Sequence, residues 1–186
     1  MKIARLLLRL IVGGLFVGHG TQKLFGWFGG PGLDTAAQGF DSMGMRPGRH
    51  HALAASAAET GGGALLIAGL ATPLAASALI SVMLTAINRV HLKNGFWNSN
   101  GGYEFNLVLI GALLTLAEEG PGSLALGGEE PHGPGWAAAA LAGGVIGAAG
   151  AHVYAASQPE PQPEVPAEQP AAEAPASEVV EPQPAS

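Results

Sequence analysis

Apolar runs long enough to cross a bilayer recur along this chain, and two of them carry ionisable residues where a span ordinarily has none. Glu59 lies within the apolar stretch 50–92, and His19 lies near the end of the stretch 3–28. A central charge costs roughly 2.5–3.5 kcal/mol on insertion scales, so a carboxylate or imidazole at that depth marks function by default. Five apolar segments can be drawn, at about 4–25, 51–71, 74–91, 104–117 and 136–157. Thr72-Pro73 marks a tight turn between the second and third, because proline restricts the residue before it and fits a first helical turn. The fourth segment is short for a hydrocarbon core of about 30 Å, and crosses only if Tyr103 and Glu118 sit at the interfaces.

These segments predict an all-α integral membrane protein, a four-helix up-and-down bundle over residues 1–127. An additional C-terminal transmembrane helix is expected at 136–157. Residues 158–186, rich in Pro, Glu and Ala and free of aromatics and bases, cannot bury enough apolar surface to offset their ordering entropy and are expected to be a disordered tail. At the start, Arg9 interrupts the apolar core that a cleaved signal would need, which favours an uncleaved first span.

Composition narrows the chemistry. Charged residues make up 12% of the chain, about half the soluble average of roughly 25%. The absence of cysteine excludes structural disulfides, thiolate metal sites and dithiol electron transfer. The formal charge of −6 misleads, since six of the fourteen acids lie in 158–186 and the remainder balances at eight acids to eight bases. No basic block points to nucleic acid.

Up-and-down topology brings polar residues of four segments to the same half of the bilayer. Segment one ends there with His19 and Lys23, which stack at i, i+4. Segment two starts there, with Glu59 about 12 Å deep at 1.5 Å per residue. Segment three ends there with Asn88, Arg89 and His91, and the spacing puts Asn88 and His91 on one face. Segment four starts there with Glu104. In an apolar interior Glu59 must pair or take a proton, and Lys23, Arg89 and the two histidines are the available partners. Gly61-Gly62-Gly63 beside it allows a close helix approach, as does Gly143-x-x-x-Gly147 in segment five. Plainer readings stand beside these. Lys23 and Arg89 can snorkel to the interface, and His91 can sit at the water boundary. Arg9 either pairs with Glu118 or Glu119 or anchors its span. His50, His51, His132 and His152 read as loop or end residues without a role, and Trp27, Phe28 and Trp97 as an interfacial aromatic belt.

His19-Gly20-x-x-Lys23-Leu24-Phe25-Gly26, Glu59-x-Gly61-Gly62, Thr72-Pro73, His91 and Gly101-Gly102-x-Glu104, in this order on these segments, resemble the DoxX family over about residues 5–126. The resemblance implies a small four-helix protein of the bacterial cytoplasmic membrane, linked to quinone-coupled oxidation of reduced sulfur compounds and to membrane oxidoreductase complexes. Two features depart from the family pattern. Leu126 stands where an acid often ends the segment after Gly120-Pro121-Gly122, and the fifth span and tail lie beyond the usual core.

On this basis the expected function is a subunit of a quinone-linked membrane oxidoreductase system. Glu59, His19 and Lys23 form its proton-transfer cluster, and Asn88, His91 and Glu104 line the quinone site. A membrane or peripheral redox enzyme carries the electrons, and the chain's other partners are the bilayer and further copies in an oligomer. Haem ligated by His19 and His91 ranks below quinone. Two alternatives come from other classes: a non-enzymatic assembly subunit that packs through its glycine faces, and, ranked lower, a small-solute transporter.

Overall fold

A computed structural model describes residues 2–159, so the expected tail falls almost wholly outside the described residues. Among the described residues there are six α-helices and no strands. They are α1 (Lys2–Phe25), α2 (Gly32–Ser42), α3 (Gly48–Ala68), α4 (Thr72–Ala86), α5 (Glu104–Glu119) and α6 (Pro134–Ala156). Five correspond to the expected segments. The sixth, α2, occupies a stretch that reads as loop. Its signal was present: Leu33, Ala36, Ala37 and Phe40 repeat at helical spacing, and Asp34 sits in the first turn, where a carboxylate complements the helix dipole. That apolar face packs on Ala52 of α3, and Asp41 Oδ1 accepts a hydrogen bond from Gly48 N at 2.7 Å, capping the start of α3.

Three helical stretches are long and apolar enough to cross a membrane: Ile3–Phe25, Thr72–Asn94 and Pro134–Ala156. The chain is a multi-pass membrane protein on that evidence. Helix α3 is long enough, but Arg49, His50, His51 and Glu59 lower its hydropathy. Helix α5, 16 residues, reaches about 24 Å at 1.5 Å per residue, short of the hydrocarbon core. Both are screened by neighbours, α3 by α1, α2 and α4, and α5 by α4 and α6.

Helix pairing follows the small residues. Helices α1 and α3 run antiparallel, with Gly13 against Gly63 and Gly20 against Thr60. A Cβ on Gly13 would lie 2.6 Å from the Gly63 carbonyl, and one on Gly20 would collide with Thr60 Oγ1. Gly62 faces Leu79 of α4. Helix α6 lies parallel to α4, with Gly143 on Ser77, Gly144 on Ile80 and Gly147 on Ser81. The Gly143-x-x-x-Gly147 face therefore packs within the chain. Phe16, Leu66, Leu79, Ile80, Leu113 and Leu116 fill the shared core, all fully buried.

Arg9, 1% exposed, sits at the end of the bundle away from the polar half. It pairs with neither Glu118 nor Glu119. Its guanidinium donates to Leu66 O at 2.8 Å, Ile67 O at 2.6 Å and Pro121 O at 2.8 Å. The first two are final-turn carbonyls of α3; Leu66 O also accepts from the cap amide of Gly69 at 3.1 Å, and a cation there answers the helix dipole. Glu130 Oε2 caps α4 at the same end, accepting from Thr72 N at 2.7 Å. Arg9→Met should therefore lower unfolding free energy in mixed micelles by about 2 kcal/mol, because Ile67 O and Pro121 O lose their donor and Leu66 O keeps only the Gly69 amide. An unchanged midpoint in a denaturant titration would reject this role.

Candidate functional site

The close approach at Gly20 decides what happens one turn later. With α1 seated against Ser56 and Thr60, Lys23 reaches Glu59, and Nζ stands 2.6 Å from Oε2. Glu59 is 3% exposed, so its charge is met inside the protein and not by water. Lys23 Nζ also lies 3.4 Å from the His19 carbonyl. Of the two readings of Lys23, partner of Glu59 or interface anchor, the structure has the direct ion pair. A pair this buried is weak evidence for stability, since desolvation offsets much of the attraction. Its presence asks for another explanation.

The pair stands on the wall of a cavity of about 860 Å³. That is within the usual range of roughly 300–1,000 Å³ for ligand sites. Helices α1, α3, α4, α5 and α6 all contribute to the lining, with Phe40, Met43 and Met45 from α2 and its following loop. Most of the lining is aliphatic or aromatic, including Leu15, Phe16, Val82, Met83 and Leu109. Its ionisable members are His19 and Lys23 from α1, His51 and Glu59 from α3, and Arg89 and His91 from the end of α4. Polar groups from α1, α3 and the end of α4 thus converge on one cavity.

Four of the six expected site residues, His19, Lys23, Glu59 and His91, line this cavity; Asn88 and Glu104 do not. The reason for Asn88 is backbone geometry. After Ala86 the helix opens into a π-turn over Ile87–His91. The wider i→i+5 turn shifts the angular register, so Asn88 and His91 no longer share a face. Asn88 turns to α6 and its Oδ1 stands 2.9 Å from His152 Nε2. His91 stays at the cavity, with Nδ1 2.7 Å from Gly101 O. Glu104 closes the loop before α5, accepting from Asn98 N at 2.9 Å.

Two lining residues, His51 and Asn106, escaped the sequence reading of the site, and Arg89, read there only as a partner of Glu59 or an interface anchor, lines it too. His51, expected to have no role, is 6% exposed and lines the cavity, with its ring between Phe40 (centroids 6.3 Å) and Tyr154 (5.5 Å). Its Nε2 is buried without a partner among the described residues. Arg89 lines the cavity; its Nη1 lies 3.4 Å from Met43 O, and its Nε is buried without a partner among the described residues. Asn106 on α5, 7% exposed, donates to Met83 Sδ at 3.4 Å. The signal for Asn106 was a lone amide within the apolar run 105–116. His50 and His152, also expected to be idle, fasten α6, the former through Nδ1 2.8 Å from Tyr154 Oη.

The comparisons with known proteins agree with the motifs. The DoxX family model matches residues 4–92. A protein of Bacillus subtilis (strain 168) described as "Putative oxidoreductase CatD" is 34% identical over 125 residues, which is 67% of this chain and 85% of that protein. No solved structure matches the chain.

Gly20 and Gly18 offer a matched test of the helix approach. A Cβ at Gly18 meets nothing within 4 Å, whereas one at Gly20 collides with α3. Gly18→Ala should be neutral or stabilising by up to about 1 kcal/mol, the usual gain of alanine over glycine in a helix. Gly20→Ala should destabilise and part Lys23 from Glu59. Equal thermal midpoints in detergent for the two variants would contradict this account.

Proposed function

The chain belongs to the DoxX family of small membrane proteins, and from that premise we propose that it is a subunit of a quinone-linked oxidoreductase system in the bacterial cytoplasmic membrane. The four-helix core of this reading is α1, α3, α4 and α5, with α6 added against it. The observation that carries it is the buried Lys23–Glu59 pair on the wall of a largely apolar cavity. The name of the Bacillus subtilis relative supports the redox direction.

A bound quinone supplies a two-electron, two-proton carrier with an oxygen-bearing head and an apolar tail. The chain's residues divide the remaining tasks. Phe16, Val82, Met83 and Leu109 offer a tail surface that excludes water. Glu59, an acceptor held by Lys23, exchanges a proton with the head group. Lys23, whose side chain is 25% exposed, and the exposed His19 link that proton to the aqueous side. Without cysteine the chain has no dithiol for electrons, so a partner enzyme of flavin or metal type delivers or removes them.

The assembly-subunit alternative drew on glycine faces. Most of these are occupied within the chain: Gly62 by α4, Gly63 by α1, and Gly143, Gly144 and Gly147 by α4. Gly61 alone of its triplet meets nothing within 4 Å. This leaves a smaller glycine surface for partners than the sequence suggests, and favours the redox reading.

The test is mass spectrometry of lipids and proteins that co-purify with the tagged chain in mild detergent, paired with quinone-dependent turnover in membranes. Wild type should hold quinone or a redox enzyme. Glu59→Gln should insert normally and lose about 100-fold in turnover, the typical scale of a positioned proton-transfer group. Recovery with ordinary phospholipid and non-redox partners only would overturn the proposal.

A further inference from the structure

The charge on the cavity wall does not balance. Two fixed cations, Lys23 and Arg89, and one carboxylate, Glu59, line it. Lys23 is taken by Glu59, which leaves Arg89 as the uncompensated charge. Among the described residues the only ion pairs are Lys23–Glu59 and Arg49–Asp34, so no carboxylate answers Arg89. The acids of α2 are engaged elsewhere, Asp34 with Arg49 and Asp41 with the Gly48 amide. Glu104 of α5 is held at Asn98.

A second observation is independent of this count. Among the described residues His51 Nε2 and Arg89 Nε are both buried and without a partner, and both residues line the cavity. His51 is more than nine-tenths buried, and its ring is held by Phe40 and Tyr154. Buried polar atoms without a partner are uncommon and call for an explanation, such as a bound species. The π-turn that brings Arg89 here is itself a helix defect that recurs at functional sites.

We infer that this cavity binds an anionic amphiphile, a head group of negatively charged oxygen on an apolar tail, and that Arg89 and His51 hold the head. An anion restores charge balance at Arg89, as two negative and two positive groups then face one another. The guanidinium donates to the anionic oxygen in a charge-assisted bond, and His51, doubly protonated beside the anion, supplies a second donor from Nε2. The tail lies along the aliphatic lining. This assignment does not rest on the redox reading, because a neutral quinone leaves the charge imbalance in place.

Equilibrium dialysis of the full chain in neutral detergent, corrected against empty micelles, tests this with three probes of one tail length: dodecanoate, dodecyl phosphate and dodecanol. Wild type should bind at least one of the two anions about tenfold or more tighter than dodecanol, the ratio expected for one charged hydrogen bond. Arg89→Gln should erase that preference without changing dodecanol binding, and Arg89→Lys should keep most of it. His51→Phe retains the ring stack and should weaken anion binding severalfold. A preference for dodecanoate identifies a fatty acid as the natural class, and a preference for dodecyl phosphate identifies a phospholipid head. Equal binding of dodecanol and both anions by wild type overturns the inference, whatever the variants do. So does an unchanged anion preference in folded Arg89→Gln. Either failure leaves the quinone proposal standing, since no probe is a quinone.

Discussion

Inside a bilayer, helices gain little from hiding apolar surface from one another, because the lipid tails are equally apolar; contact area and internal polar bonds hold them together. The antiparallel contact of α1 and α3 depends on this. Gly13 and Gly63 bring two backbones into contact, and Gly20 lets α1 rest on Ser56 and Thr60. That distance sets the reach of Lys23. A wider pair would leave Glu59 charged and alone in an apolar setting, which is far costlier than either the paired state or a water-exposed one. The polar site thus depends on three small residues with no chemistry of their own.

Arginine serves both ends of the molecule, and the contrast separates structure from function. Arg9 has three carbonyl acceptors, two of them in the final turn of α3, where the helix runs out of its own donors for Ile67 O. It is fully engaged, and its burial closes an accounting problem of the backbone. Arg89 has one long bond to Met43 O and a buried nitrogen that meets no partner among the described residues. Burial alone would rank Arg9 the more suspicious residue. The state of the partners ranks them the other way, with Arg9 structural and Arg89 facing unmet chemistry.

Topology and apolar patterning carried much of the sequence reading. The five apolar segments, the Thr72-Pro73 turn and the gathering of His19, Lys23, Glu59 and His91 follow from hydropathy, proline restriction and alternating helix direction, all of which are local or countable. The failures share a different cause. Helix α2 was hidden because a short amphipathic helix between spans has too few apolar residues to stand out from a glycine-rich loop. The π-turn has no composition of its own, so an α-helical wheel put Asn88 on the wrong face. His51 looked like a helix-end residue because its burial comes from Phe40 on α2 and Tyr154 on α6, which are remote in sequence. Position in a span could be read from one segment at a time; enclosure by several helices could not.

Helix α6 extends the same argument. It lies beyond the stretch matched by the family model, yet Gly143, Gly147 and Ala151 line the cavity and His152 and Tyr154 bind the polar ends of α4 and α3. Small residues serve two ends here. They let α6 lie tightly against Ser77 and Ser81, and they add almost no volume on the cavity side. A leucine-faced helix at the same place would satisfy the membrane equally well and would fill the space. The Ala- and Gly-rich composition of this helix is therefore what keeps the cavity open while walling it, a role that mean hydropathy alone does not distinguish from lipid anchoring.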